Sequence, residues 1–424
     1  MKIAKYPSSK ELTALLQRPI IDQEDLSSVV IQVLQKVKNE GDAALKELTK
    51  KFDKVLLENL AVTEKELESA DAQVPQILQD AIRTAASNIE RFHSAQREDF
   101  QPLETMPGVR CWRKSVPIER VGLYIPGGTA PLFSTVLMLA IPAKIAGCQE
   151  IILCTPPSEG GSINPAILFA AKVAGVSKIF KIGGAQAIAA MAVGTESVPQ
   201  VYKIFGPGNR YVTAAKMLVQ QFGVAIDMPA GPSELLVFAD ESSVPAFVAS
   251  DLLSQAEHDV DSQVVFLTTS EKILEVVKME IEKQLVDLPR QKMLQGALSH
   301  SVFILLKNEK EIINAINEYA PEHLILACEN AEKLAIEVNN SGSVFLGNYT
   351  PESAGDYASG TNHTLPTSGF ARSYSGVSLD SFLKKITFQK ITKQGLQSLG
   401  PTIIAMAKAE QLNAHARAVE LRLN

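Results

Sequence analysis

The chain is short of cysteine, histidine, tryptophan and excess positive charge. Its 424 residues include four cysteines, six histidines and one tryptophan. Cys111, Cys148, Cys154 and Cys328 form no CxxC pattern, and such sparse use fits a reducing compartment. Cys154 falls in a strand-like apolar run and Cys148 beside a turn. Neither has a histidine next to it, so buried packing accounts for them better than a thiol nucleophile. Lysine and arginine total 41 against 47 acidic residues, a net charge of −6. That balance argues against a general binder of phosphate backbones, which carries a basic stripe. No long hydrophobic run is present. The richest stretch, residues 132–146, holds Pro142 and Lys144 and is too short to span a bilayer. Residues 1–7 lack the apolar core of a signal peptide. The expectation is a soluble, cytoplasmic protein.

What is present is apolar residues in a regular texture. At 46% hydrophobic the chain can build large cores. At ~150 residues per domain its length suggests two or three of them. The first hundred residues read as helices. Ser8 with Glu11, and Thr63 with Glu66, form possible capping boxes. Val29, Val30, Val33, Leu34 and Val37 recur at helical spacing, with Gly41 as a stop. From about Val116 the texture changes. Apolar runs at 121–125, 151–154, 179–182 and 201–205 are followed by Pro126-Gly127-Gly128, Thr155-Pro156-Pro157, Gly183-Gly184 and Gly206-Pro207-Gly208. Helical patterns at 132–146, 165–174 and 185–193 lie between them. Strand, turn and helix in repetition predict a parallel, doubly wound sheet. A second such alternation follows residue 231, with strands at 235–238, 264–268 and 343–346 and helices at 244–258, 271–286 and 331–339. Residues 347–376 read as a long polar loop, and a loop of that length is unusual unless functional. Residues 378–385 and 401–421 read as helical.

Two short segments carry candidate chemistry. Ser254-Gln-Ala-Glu-His-Asp places Gln255 and His258 three residues apart, on one face if helical. That suits a metal, although glutamine is an uncommon zinc ligand and a hydrogen-bonded structural histidine reads equally simply. Asp356 and His415 are further candidates, and spacing alone does not bring the four together. Glu318-Tyr-Ala-Pro-Glu-His places Glu322 beside His323 at an apparent helix start. The pair is either a dipole-complementing carboxylate with a neighbour or a general acid/base centre. Gly206-Pro-Gly208-Asn209-Arg210-Tyr211 begins like a dinucleotide fingerprint but has Tyr211 where the third glycine belongs. A plain tight turn explains it as well. A metal-dependent hydrolase or lyase, and a binding protein on a dehydrogenase-like scaffold, are the rival readings.

With these segments assembled, the sequence resembles the histidinol dehydrogenase family. The likeness rests on residues 121–132 (VGLYIPGGTAPL), 182–187 (IGGAQA), 205–209 (FGPGN), 230–234 (AGPSE), 253–259 (LSQAEHD), 320–324 (APEHL), 355–363 (GDYASGTNH) and 412–415 (LNAH). It covers nearly the whole chain, in order. The resemblance implies NAD+-dependent, four-electron oxidation of L-histidinol through L-histidinal to L-histidine, the last step of histidine biosynthesis. It implies one Zn2+ per subunit on Gln255, His258, Asp356 and His415, and Glu322 and His323 as the acid/base pair. Substrate contacts would be Ser233, Gln255, His258, His323, Asp356, Glu410 and His415; cofactor contacts would be Tyr124, Gln186 and Asn209. His363 receives no role. A homodimer with shared active sites is implied, the C-terminal tail carrying Glu410 and His415 to the partner. The expected architecture is α/β: two doubly wound, incomplete Rossmann-like parallel-sheet domains with a helical N-terminal segment and a helical C-terminal tail. The expected division is 1–20 for the N-terminal segment, 21–120 with 235–376 for the first domain, 121–234 for the NAD-binding domain, and 377–424 for the tail.

Overall fold

The computed structural model describes residues 1–18, 24–127 and 130–424. The boundary expected at residues 20 and 21, and Gly128 of the first glycine turn, lie outside the described residues. The chain divides into two compact units, Met1–Ala95 with Ile118–Phe382, and Gln96–Pro117 with Leu383–Asn424.

The first unit is built on two parallel sheets. Their strands are almost continuously apolar, because a strand covered on both faces has no solvent side to alternate with. The six-stranded sheet runs, in spatial order, Lys2–Lys5, Val302–Leu305, Gln263–Thr268, Glu234–Ala239, His323–Ala327 and Ser343–Leu346. Alternate residues feed separate cores. Leu235, Val237, Phe266 and Phe303 face helices Pro245–Ala256, Glu271–Leu285 and Gln291–His300, while Leu236, Phe238, Leu267 and Ile304 face helix Glu309–Tyr319.

The five-stranded sheet runs Lys178–Lys181, Glu150–Thr155, Arg120–Tyr124, Lys203–Phe205 and Ala225–Ile226. Val121, Leu123, Leu153 and Phe205 pack on one side with helices Glu64–Gln73, Gln76–Ser94, Phe133–Ala146 and Pro165–Ala174. Ile152, Cys154, Phe180 and Ile204 pack on the other with Glu24–Phe52, Gly184–Val193 and Arg210–Val219. In each sheet successive strands step outward one way, and then resume on the opposite side of the first. The switch lies between Arg120–Tyr124 and Lys203–Phe205 in one sheet, and between Glu234–Ala239 and His323–Ala327 in the other. The expected doubly wound α/β class is therefore present.

Both capping boxes form, at Ser8 with Glu11 and at Thr63 with Glu66. Gly41 (φ 54°, ψ −131°) interrupts the segment Glu24–Phe52. Several expectations fail. The N-terminal segment opens with strand Lys2–Lys5, four residues too short to show a period, before helix Ser9–Leu15. The helices of residues 24–94 belong to the five-stranded sheet's cores, not with 235–376. Amphipathic spacing shows that a helix has a buried face without showing which sheet covers it.

The second unit holds an antiparallel sheet in the order Leu383–Ile391, Val109–Pro117, Leu103–Met106, and helices Lys393–Ala409 and Asn413–Leu423. Residues 378–385 are thus not a helix. A short 3-10 turn, Leu379–Phe382, leads into the strand. Ile386 and Phe388 alternate with polar residues there, and the strand pairs along Val109–Pro117, a partner remote in sequence. Trp112 and Phe388 stack across that pair, ring centroids 5.5 Å apart. Among the described residues no helix is long and apolar enough to cross a membrane.

Candidate active site

The candidate acid/base pair, Glu322 and His323, sits at a strand start, not a helix start. Helix Glu309–Tyr319 ends at Ala320, which adopts the left-handed conformation (φ 53°, ψ 66°). Pro321, just past that cap, cannot continue the helix. The apolar run from His323 to Ala327 pairs on both sides, with Leu235–Ala239 and Ser343–Leu346. Tertiary pairing overrides the local Pro-Glu helix signal. Glu322 and His323 are 6% and 4% exposed. Glu322 Oε2 accepts the backbone N–H of Glu234 at 2.8 Å. Glu234 is itself gripped: its carboxylate accepts two hydrogen bonds from Arg18, at 2.5 and 2.7 Å, and the N–H of Ser368 at 2.8 Å.

Gln255 and His258 come from the end of helix Pro245–Ala256, with His258 two residues past its last turn. The shared helical face therefore does not extend to His258, whose backbone N–H reaches Gln255 O at 3.3 Å. Gln255 is fully buried, and neither its Oε1 nor its Nε2 has a hydrogen-bond partner among the described residues. An unsatisfied buried amide of this kind costs about 1–3 kcal/mol, so something else answers it when the site is complete.

The expected long loop contains a short helix, Glu352–Tyr357. It sets Glu352 and Asp356 one turn apart, on one face. Gly355 lets this helix approach closely, since a Cβ there would lie 2.7 Å from the Phe345 ring. Asp356 Oδ2 is 4.0 Å from His258 Nε2, and Asp356 Oδ1 is 3.5 Å from His323 Nε2. Glu352 Oε1 is 3.4 Å from His323 Nδ1, and Glu322 Oε2 is 3.7 Å from the same nitrogen. His323, Glu352 and Asp356 place one potential ligand atom each within 4.8 Å of one another. His363 bridges: its Nδ1 is 2.7 Å from the Asp356 carbonyl and its Nε2 is 3.0 Å from the Thr135 hydroxyl. Glu352 escaped the sequence reading. The signal was its four-residue spacing from Asp356, hidden by reading 347–376 as loop.

The electrostatics follow from packing three carboxylates around one imidazole. Burial pushes Glu322 up to about 8, against the pull of His323 and the Glu234 N–H. Burial pulls His323 down, but Glu322, Glu352 and Asp356 together outweigh it and hold the ring up at about 10. Burial also raises Glu352, while His323 lowers Asp356 despite Asp356's own burial.

Ser233 precedes strand Glu234–Ala239, and its carbonyl accepts Gln263 N–H at 3.2 Å. It thus stands at the same end of this sheet as Glu322 and His323. Tyr124, Gln186 and Asn209 gather at the carboxyl ends of the other sheet, where ligands bind in doubly wound folds. The Tyr124 hydroxyl accepts Gly184 N–H at 3.0 Å. Gln186 is buried in the first turn of its helix, and exposed Asn209 caps helix Arg210–Val219. Gly206, at φ 121°, lies so near Tyr124 that a Cβ would sit 2.1 Å from the Tyr124 carbonyl oxygen. A buried ion pair, Lys216 Nζ to Asp227 Oδ1 at 2.5 Å, holds both of its backbone groups: Gly206 N–H donates to Asp227 and Gly206 O accepts from Lys216, each at 2.8 Å. Glu410 and His415 lie in the second unit, both exposed, Glu410 capping helix Lys393–Ala409 and His415 within Asn413–Leu423.

A covered parallel scaffold that buries ionisable groups around one imidazole defines an α/β enzyme that moves protons. The comparisons narrow this class. The histidinol dehydrogenase family model matches residues 16–423. The chain is 60% identical over 424 residues to histidinol dehydrogenase of Bacteroides thetaiotaomicron, covering 100% of this chain and 99% of that one. It is 53% identical over 422 residues to the chloroplastic histidinol dehydrogenase of Arabidopsis thaliana, covering 98% and 90%. The crystal structure of histidinol dehydrogenase from Elizabethkingia anophelis superposes with a TM-score of 0.98 at 57% identity, covering 100% and 98%. The chain belongs to the histidinol dehydrogenase family, the oxidoreductases of histidine biosynthesis.

Proposed function

We propose that this chain oxidises L-histidinol through L-histidinal to L-histidine, with zinc and NAD+, as a cytoplasmic homodimer. The observation that carries the reading is the gathering of His258, Asp356 and His323, with Glu322 beside the imidazole, together with the orphaned amide of Gln255 three residues before His258. Gln255, His258 and Asp356 offer nitrogen and oxygen donors that suit zinc, and His415 from the partner's tail would complete the set. When bound, zinc supplies a Lewis acid and a template, and NAD+ takes up two electrons in each oxidation. Ser233, Gln255, His258, His323 and Asp356, with Glu410 and His415 of the crossing tail, are the proposed substrate contacts. Orienting the carbinol in this way is the entropic part of the rate enhancement. Tyr124, Gln186 and Asn209 are the proposed cofactor contacts.

In its neutral form His323 accepts the alcohol proton at Nε2 in the first oxidation. Glu322, whose burial sets it at about 8, takes a proton from the water that adds to the aldehyde. His323 then deprotonates the hydrate for the second oxidation. Each such proton transfer is worth ~10²–10⁴-fold. The test is NADH formation from L-histidinol and NAD+, before and after chelation and zinc add-back. The expected outcome is two NADH per histidinol, lost with the metal and restored by zinc. A folded, zinc-loaded protein that forms no NADH overturns the reading.

A further inference from the structure

Glu352 has no place in the mechanism above, yet it is 1% exposed and aimed at its central residue. Its two carboxylate oxygens have separate surroundings. Oε2 is 3.4 Å from the Ser254 hydroxyl, which can donate to it. Oε1 has no hydrogen-bond partner among the described residues, and neither has His323 Nδ1; the two atoms lie 3.4 Å apart, within hydrogen-bond distance but not aligned as one. The other carboxylate near Nδ1, Glu322 Oε2, is farther off at 3.7 Å and already accepts the Glu234 N–H. A neutral imidazole carries one N–H, and the hydrogen bond made by one nitrogen decides the state of the other. Nδ1 stands between two carboxylates, so a lone pair there would be repelled twice. A proton there has an acceptor waiting.

We propose that Glu352 is a positioning residue: by accepting the Nδ1–H of His323 it orients the ring and leaves Nε2 free to act as the base. This rests on the assignment of His323 as the proton acceptor. It has the logic of a carboxylate that orients a catalytic histidine without taking its proton. The scaffold supports it. The helix that carries Glu352 is drawn in at Gly355, and Ser254 holds the carboxylate's other oxygen.

The test uses the zinc-loaded enzyme. Nitrogen-15 spectra of histidine-labelled protein, with His323 assigned by its Asn variant, should show the neutral ring protonated on Nδ1. A neutral ring protonated on Nε2 in place of Nδ1 overturns the proposal. Glu352→Gln should lower kcat by ~10²-fold or more, in the range lost when a base is disoriented. The KM for histidinol, the zinc content and the urea midpoint should be nearly unchanged. Glu352→Asp should recover part of the rate. Zinc lost in Glu352→Gln makes Glu352 a metal ligand instead, and kcat within threefold of the parent removes its role; either result overturns the proposal. His323→Ala is the control. If it keeps full turnover, the assignment of His323 has failed; if it is crippled while Glu352→Gln is not, only the present inference has.

Discussion

Lys216 and Asp227 form an ion pair in an apolar core, with side chains 3% and 1% exposed. Ile204, Val212, Ala215 and Val224 are part of that core. Replacing Lys216 by Met leaves the Asp227 carboxylate with the N–H groups of Gly206 and Met228 and, as counter-charge, only the more distant Lys203. Replacing Asp227 by Leu leaves an ammonium with only the Gly206 carbonyl. Breaking a buried pair from one side costs about 3–5 kcal/mol, because the survivor stays buried and unpaired. Independent losses would sum to roughly 6–10 kcal/mol. In the double variant neither charge of the pair remains, and the penalty reduces to the unpaired N–H and carbonyl of Gly206 and the N–H of Met228, about 1–3 kcal/mol each. The double variant should therefore lose less than the two single losses summed, with a coupling of about 2 kcal/mol. Urea unfolding of all four proteins measures it. Additivity within ~0.5 kcal/mol would refute the claim that the two charges answer one another. If the pair also holds the cofactor turn at Gly206, the double variant should show a raised KM for NAD+ without recovering it.

Four further outcomes are expected. His258→Ala, Asp356→Ala and Gln255→Ala should each lower zinc content by elemental analysis, and full retention removes that residue from the ligand set. Glu322→Ala should mainly slow L-histidinal oxidation, whereas His323→Ala should cripple the alcohol step; equal losses in both steps for Glu322→Ala would end that division of labour. Gly355→Ala should destabilise the fold by about 1–3 kcal/mol and cut turnover, because its Cβ meets Phe345; Phe345→Leu in the same chain should restore part of both. Burial holds Asp53 up at about 6, above an unfolded value near ~3.9, so its folded form favours the proton. The stability this gives is present below pH ~4 and is lost as pH rises through about 6, and Asp53→Asn should flatten that decline in unfolding midpoints.

Sequence texture revealed what is local and periodic. Four strands of the five-stranded sheet and the helix Pro165–Ala174 lie where apolar runs and turn residues place them; the two-residue strand Ala225–Ile226 is too short to show. It was poorest where a partner far along the chain decides the conformation. His323 begins a strand because Leu235 and Ser343 flank it, against a local signal for a helix. Leu383–Ile391 is a strand because Val109–Pro117 lies alongside. In the site, Gln255, His258, Asp356, Glu322 and His323 were legible as chemically capable residues, and the fold brings the last four into one neighbourhood. Their grouping was legible only through family resemblance, since spacing along a chain does not measure distance across it. Glu352 and the Arg18–Glu234 pair stayed hidden because a lone carboxylate or guanidinium in a sequence looks like surface charge.

The antiparallel pairing in the second unit has a consequence for synthesis. Ser115 and Lys385, which face each other across it, are 270 residues apart. At a ribosomal rate of ~5–20 residues per second, the strand Val109–Pro117 emerges roughly 15–55 s before its partner exists. Through that interval its hydrogen-bonding edge is bare, with Trp112 and Val116 along it. Arg110, Arg113 and Lys114 within the strand, and Glu119 and Arg120 just after it, are charged. Charges so placed act as gatekeepers that keep one nascent chain from pairing with the next on a polysome.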